Sequence, residues 1–179
     1  MNKISSIDFY NQWCKTLQER RTEFITIGFN SKAVTSFMLK EENSIINTIA
    51  KEFNLNSCCE YYSLDAILYA NEDKITDKES NGLFLSEIKV AFEHENFFNS
   101  GLYQEISHLL ITNADLKVLV TYPGGYDTKK EITYLYEIIK RNSKSDYISS
   151  EENFLLILGN EIDCTWEGFI YKEDGWKKI

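Results

Sequence analysis

The chain has 179 residues, 43% hydrophobic, 14% aromatic and 26% charged, the composition of one folded domain with its own core and not of a disordered chain. A formal net charge of -9 and a pI near 4.8 exclude a broad basic surface for nucleic acid; they leave room for a local basic groove, and they suit an acidic pocket that gathers divalent cations. No apolar run approaches the roughly 20 residues that span a bilayer, and the N-terminal stretch lacks the apolar segment of a secretory signal, so a cytoplasmic location is the expectation.

The first 21 residues read as an amphipathic helix, with Ile7, Phe9, Tyr10, Trp13, Cys14 and Leu17 at helical spacing. Residues 23–34 are ambiguous. A second helix is expected over about Ser36 to Phe53, with Ile45, Ile46, Ile49, Ala50 and Phe53 as its stripe and Glu42 on the same stripe. There Glu42 either snorkels at a rim or points into a cleft.

CCEYYSLDAILYA, residues 58–70, alternates with period two and is rich in aromatics, which predicts a strand. Asp65 lies in its middle, where aspartate is disfavoured. After the polar connection 71–82, LFLSEIKVAFEHEN reads as the next strand. Its parity puts Glu93 and Glu95 on one face and His94 on the other, where the imidazole is expected to pack beneath the sheet and bond to the backbone. Residues 99–111 fit a helix that turns Leu102, Ile106, Leu109 and Leu110 inward, with Gln104 and His108 on another face.

LKVLVTY, residues 116–122, and FLLILG, from Phe154, are apolar on both parities, as doubly buried strands are. Between them YPGGYD is a turn, and Thr128 with Glu131 forms a capping box for a helix to about Arg141. The tail suggests a hairpin around Asp174-Gly175. The order predicts an α/β fold: a mixed central sheet flanked by helices, its first strands antiparallel and the next joined by helical crossovers. One domain is expected, with a helical segment over about 1–35, a core over about 36–160 and a hairpin over about 161–179.

The cysteines Cys14, Cys58, Cys59 and Cys164 contain no C-x-x-C pair and read as reduced, buried thiols. With two histidines besides, a structural zinc site is not expected; a hard cation held by carboxylates is the better expectation. Asp65, Glu93 and Glu95 could meet at one end of the sheet, where their charges repel unless a cation sits among them. The bland alternative is a solvated strand end with Asp65 capping a bulge.

A strand with Asp65, a long loop, a strand with Glu93-x-Glu95, then a helix and a buried strand resembles the PD-(D/E)xK nuclease superfamily, with its restriction-endonuclease-like fold. The resemblance covers about residues 40–122. It implies Mg²⁺ or Mn²⁺ held by Asp65 and Glu93, with Glu42 as the helix glutamate that often contributes, and Gln104 as an assisting polar residue. It departs at two places: Ser63-Leu64 precedes the aspartate without a proline, and Glu95 occupies the usual lysine position, where it would orient or deprotonate the attacking water. Lys89 shares that face but lies about 20 Å away along the strand. His94 is a further candidate. The implied activity is metal-dependent hydrolysis of nucleic-acid phosphodiesters, with DNA the partner in preference to RNA, no membrane, and a homodimer as one open arrangement. Two rivals stand beside it: an inactive nuclease-fold binding or accessory protein of a bacterial defence system, and an acidic DNA mimic.

Overall fold

Ser5 caps the first helix, α1 (Ser6–Glu19), by accepting a hydrogen bond from Asp8 N at 3.0 Å, and α1 buries Phe9, Trp13, Thr16 and Leu17 along one stripe. The computed structural model describes residues 3–28, 30–75, 82–98, 102–124, 127–160 and 162–179. Two short helices, α2 (Arg21–Ile27) and α3 (Ser31–Thr35), lie within and beside the ambiguous stretch. The helix expected over 36–53 is broken. A π-helical turn (Ser36–Lys40) ends at Glu41, the chain turns through 41–44, and Ser44 caps α4 (Ile45–Glu52), whose buried residues are Ile45, Ile46, Ile49 and Ala50. Glu42 therefore lies in a turn, not on the helical stripe.

The strand expected over 58–70 is a hairpin. β1 (Asn56–Tyr61) pairs antiparallel with β2 (Leu64–Tyr69), and the register Tyr61↔Leu64 leaves Tyr62 and Ser63 as the loop. The strand expected from Leu83 is shorter: β3 covers Val90–Glu95. Lys89 collects Asp73, Glu87 and Asp115 at 3.6, 2.5 and 3.7 Å just before β3 begins, so its charge is engaged at the end of the strand away from Glu95.

After β3 come α5 (Leu102–Ile111), β4 (Leu116–Thr121), α6 (Thr128–Lys140), α7 (Ser145–Glu151) and β5 (Phe154–Asn160). The cap of α6 is Asp127, which accepts from Lys130 N at 3.2 Å, in place of the box expected from Thr128. The final hairpin is β6 (Thr165–Lys172) and β7 (Gly175–Lys178).

Among the described residues, seven strands form one sheet in sequential order. β2 runs antiparallel to β1 and β3; β3, β4 and β5 are mutually parallel; β6 and β7 return antiparallel. β4 is buried throughout and β5 up to its last residue, as expected of strands covered on both faces. One face packs Phe9, Trp13, Phe37 and Ile49 against Ala66, Phe92, Val118 and Ile157; the other packs Ile106, Leu109, Leu135 and Ile139 against Ile67, Ala91, Leu119 and Leu156. The fold is thus α/β, a mixed sheet between two helical layers, and the N-terminal helices belong to the same core.

Phe92 sits at the centre of the first layer, fully buried, with its ring 6.4 Å from Phe9 and 5.7 Å from Trp13. Phe92→Ala removes those contacts and leaves a cavity, so urea unfolding should show a loss of about 3–5 kcal/mol. A loss below about 1 kcal/mol would mean that this layer does not hold the sheet.

Candidate metal centre

β2 and β3 pair through Leu68↔Val90, Ile67↔Ala91 and Ala66↔Phe92, and the ladder stops there. β3 continues in register with β4 through Glu93↔Leu119, His94↔Val120 and Glu95↔Thr121. At the fork, side chains replace the missing ladder bonds. Asp65 N donates to Glu93 Oε2 at 3.1 Å, and His94 N donates to Asp65 Oδ2 at 2.8 Å. Asp65, disfavoured in a strand, is explained by this exchange: its carboxylate satisfies a backbone N–H that would otherwise lose its partner.

The parallel step from β3 to β4 requires a crossover, which lays α5 over this face. Ile106 and Leu109 anchor the helix. Glu105 and His108, one turn apart, then reach the fork. His108 Nδ1 lies 3.2 Å from Glu93 Oε1 and 3.4 Å from Glu105 Oε2. One donor atom from each of Glu93, Glu105 and His108 falls within 4.8 Å of the others. Ligands on opposite sides of a small divalent ion lie about 4.2 Å apart, so the three could bind a metal ion with a small inward movement.

Electrostatics favour a cation here. Glu93 is 1% exposed. Burial pushes its carboxyl up to about 9, against the opposing Asp65 N–H bond, and the charges of Asp65 and Glu105 push it further in the same direction. Asp65 is raised chiefly by burial, with the bond from His94 N opposing. Glu105 is raised by burial and then by the Asp65 charge. Carboxyls so close cannot all ionise in a dry setting. A divalent cation among them would relieve that repulsion.

The structure brings two of the expected residues together, Asp65 and Glu93. Glu95 shares their face and feels the charges of Glu105 and Asp65; burial raises its carboxyl, and its Oε1 accepts a 2.7 Å hydrogen bond from Phe97 N. Glu42 is exposed in its turn, where Asn47 Nδ2 donates to its carbonyl, and Gln104 is exposed on α5 beside the Glu105 that faces the fork. His94 lies on the opposite face. It bonds not to the backbone but to the Tyr122 hydroxyl, at 2.8 Å from Nε2, and burial pushes its pKa down to about 4, so it stays neutral. Sequence reasoning missed Glu105 and His108. Their signal was a Glu-x-x-His spacing one turn apart on a helix that follows the acidic strand.

Comparison with models of known protein families, with curated proteins and with solved structures gave no match. Among the described residues, no helix is long and apolar enough to cross a membrane.

A carboxyl raised by folding stabilises the fold while it is protonated. For Glu93 that contribution is complete below its ordinary 4.5 and is lost as pH climbs towards about 9. Metal-free protein should therefore lose stability to urea between pH 5 and pH 9, roughly following that titration. Glu93→Gln, always neutral, should flatten the slope; a slope equal to that of the unaltered protein would place the titration elsewhere.

Proposed function

We propose that the chain is a divalent-metal-dependent phosphodiesterase of restriction-endonuclease-like architecture that cleaves nucleic acid, DNA in preference to RNA. The observation that carries this reading is Glu93, a carboxyl buried at the β2–β3 fork among Asp65, Glu105 and His108. The element order supports it: the strand of Asp65, a loop, the strand of Glu93-x-Glu95, a helix and a doubly buried strand.

In this reading Asp65, Glu93, Glu105 and His108 would hold Mg²⁺ or Mn²⁺. Oxygen donors suit both ions, and the imidazole tilts the set towards Mn²⁺. The metal would supply acidity to a bound water and neutralise charge gathering on the phosphate. The chain's own residues do the rest. Glu95, whose carboxyl burial raises, takes the proton of the attacking water at the position where the resembled family has lysine. Lys40 is exposed and paired with Glu60 at 2.6 Å, and at Asp65 the Glu60 charge outweighs that of Lys40, so the pair brings no net positive charge to the fork.

A second reading has one observation in its favour, the glutamate at the lysine position: a nuclease-like fold that binds a partner without cutting. The two diverge in metal binding and turnover. Calorimetry should show Mn²⁺ affinity falling at least about tenfold in Glu105→Gln and staying unchanged in Glu42→Gln. Equal affinities in both variants would remove Glu105 from the site.

Incubation of single- and double-stranded DNA and RNA with the protein in Mn²⁺ should give cleavage that chelation abolishes. Asp65→Asn and Glu93→Gln should slow it by at least about 10². Cleavage unaffected by either change overturns the proposal, and absence of both Mn²⁺ binding and cleavage selects the second reading.

A further inference from the structure

Beside the metal centre, on the same face of the sheet, lies a cavity of about 450 Å³. Its walls are the β1–β2 loop, the segment leading into β3 and the end of α5. Chain neighbours link it to the centre: Leu64 in its wall precedes Asp65, and Thr112, also in its wall, follows His108 by one helical turn and donates from Oγ1 to its backbone carbonyl at 2.8 Å. The size falls within the range of small-ligand pockets. Leu64, Ile88 and Ile111 supply apolar surface, and Asn113 supplies an amide with both donors and an acceptor at the edge.

Tyr62 at its mouth is the odd residue. It is 82% exposed, packs edge-to-face on Tyr61 with centroids 4.8 Å apart, and has φ 53. A bulky aromatic in the left-handed region is strained, and such strain persists where the surroundings or a function impose it. Glycine or asparagine is the usual choice in a two-residue hairpin loop. Here the loop instead holds a large ring out beside the cavity. Ile111, 80% exposed, stands at the end of α5, one turn after His108.

We infer that this cavity seats an unpaired nucleobase stacked on Tyr62, next to the phosphate held at the metal centre, and that the substrate is therefore single-stranded at the point of cleavage. The inference rests on the phosphodiesterase reading for the phosphate and on the cavity for the base. A base inside a duplex cannot enter such a cavity without leaving its stack, whereas a single strand presents its bases freely. Stacking also needs no positive charge, and the chain carries a net -9. A duplex reader would need a row of phosphate contacts; a base seated on an aromatic ring supplies affinity without one.

The test measures fluorescence anisotropy of a short labelled DNA strand, its duplex and a free nucleoside monophosphate, in Ca²⁺, another hard cation that carboxylates hold. The single strand should bind about tenfold or more tighter than either of the others. Tyr62→Ala should weaken it by about fivefold or more, as loss of one base–aromatic stack does, while Tyr62→Phe keeps it and both variants keep their Mn²⁺ affinity. Equal binding of duplex and strand, equal binding of the monophosphate, or indifference to Tyr62→Ala overturns the inference. Its failure is separable from failure of the phosphodiesterase reading. Duplex cut by the unaltered protein and spared by Glu93→Gln sinks the base seat alone. Strand binding that depends on Tyr62, with no cleavage of any substrate, sinks the phosphodiesterase alone.

Discussion

Glu93 is the constraint around which this end of the molecule is arranged. A carboxyl that is 1% exposed has to be neutral or matched by positive charge. Here it accepts from Asp65 N and lies against His108, with Glu105 close by. The same residue marks where two strands part: β2 leaves β3 after Ala66↔Phe92, and the opened edge is closed by side-chain bonds from two acids. A neutral, apolar residue at 93 would leave Asp65 N without its acceptor. The site and the fork are one feature of the fold.

Rigidity comes from what surrounds it. β3 remains paired with β4 through Glu95↔Thr121, and β4 is buried throughout its length. The parallel β3–β4 step forces α5 across the face, and its buried Ile106 and Leu109 fix the helix rotation that turns Glu105 and His108 towards the fork. At the far end, Lys89 ties Asp73, Glu87 and Asp115 together. Donor groups on paired strands and a docked helix keep their spacing better than donors on loops, which matters when a metal must be met by several groups at once.

Much of this was legible in the sequence because parity in a strand is local. The alternation of Val90, Phe92 and His94 against Ala91, Glu93 and Glu95 sorted the acids from the imidazole, and the doubly apolar runs after Leu116 and Phe154 announced the central strands. What was missed depended on tertiary structure or on weak turn chemistry. Tyr62-Ser63 carries no glycine or asparagine, so the β1–β2 hairpin read as one strand. Helical periodicity runs on through Glu41–Asn43, although the chain leaves the helix there and takes Glu42 with it. Gln104 and Glu105 are equally polar neighbours; which of them faces the fork is decided by the docking of α5, a quantity that sequence spacing does not contain.

The two histidines show how little residue type decides alone. His94, inside the acidic motif, is turned away by parity, bonds to Tyr122 and is kept neutral by burial. His108, fourteen residues downstream, lies against two carboxylates because a crossover helix carries it back over the strand. Proximity in the chain suggested the first; the handful of buried contacts that dock α5 selected the second. On β3 itself position 95 holds another acid, Glu95, and the imidazole that lies against Glu93 comes instead from α5, the helix above the strand.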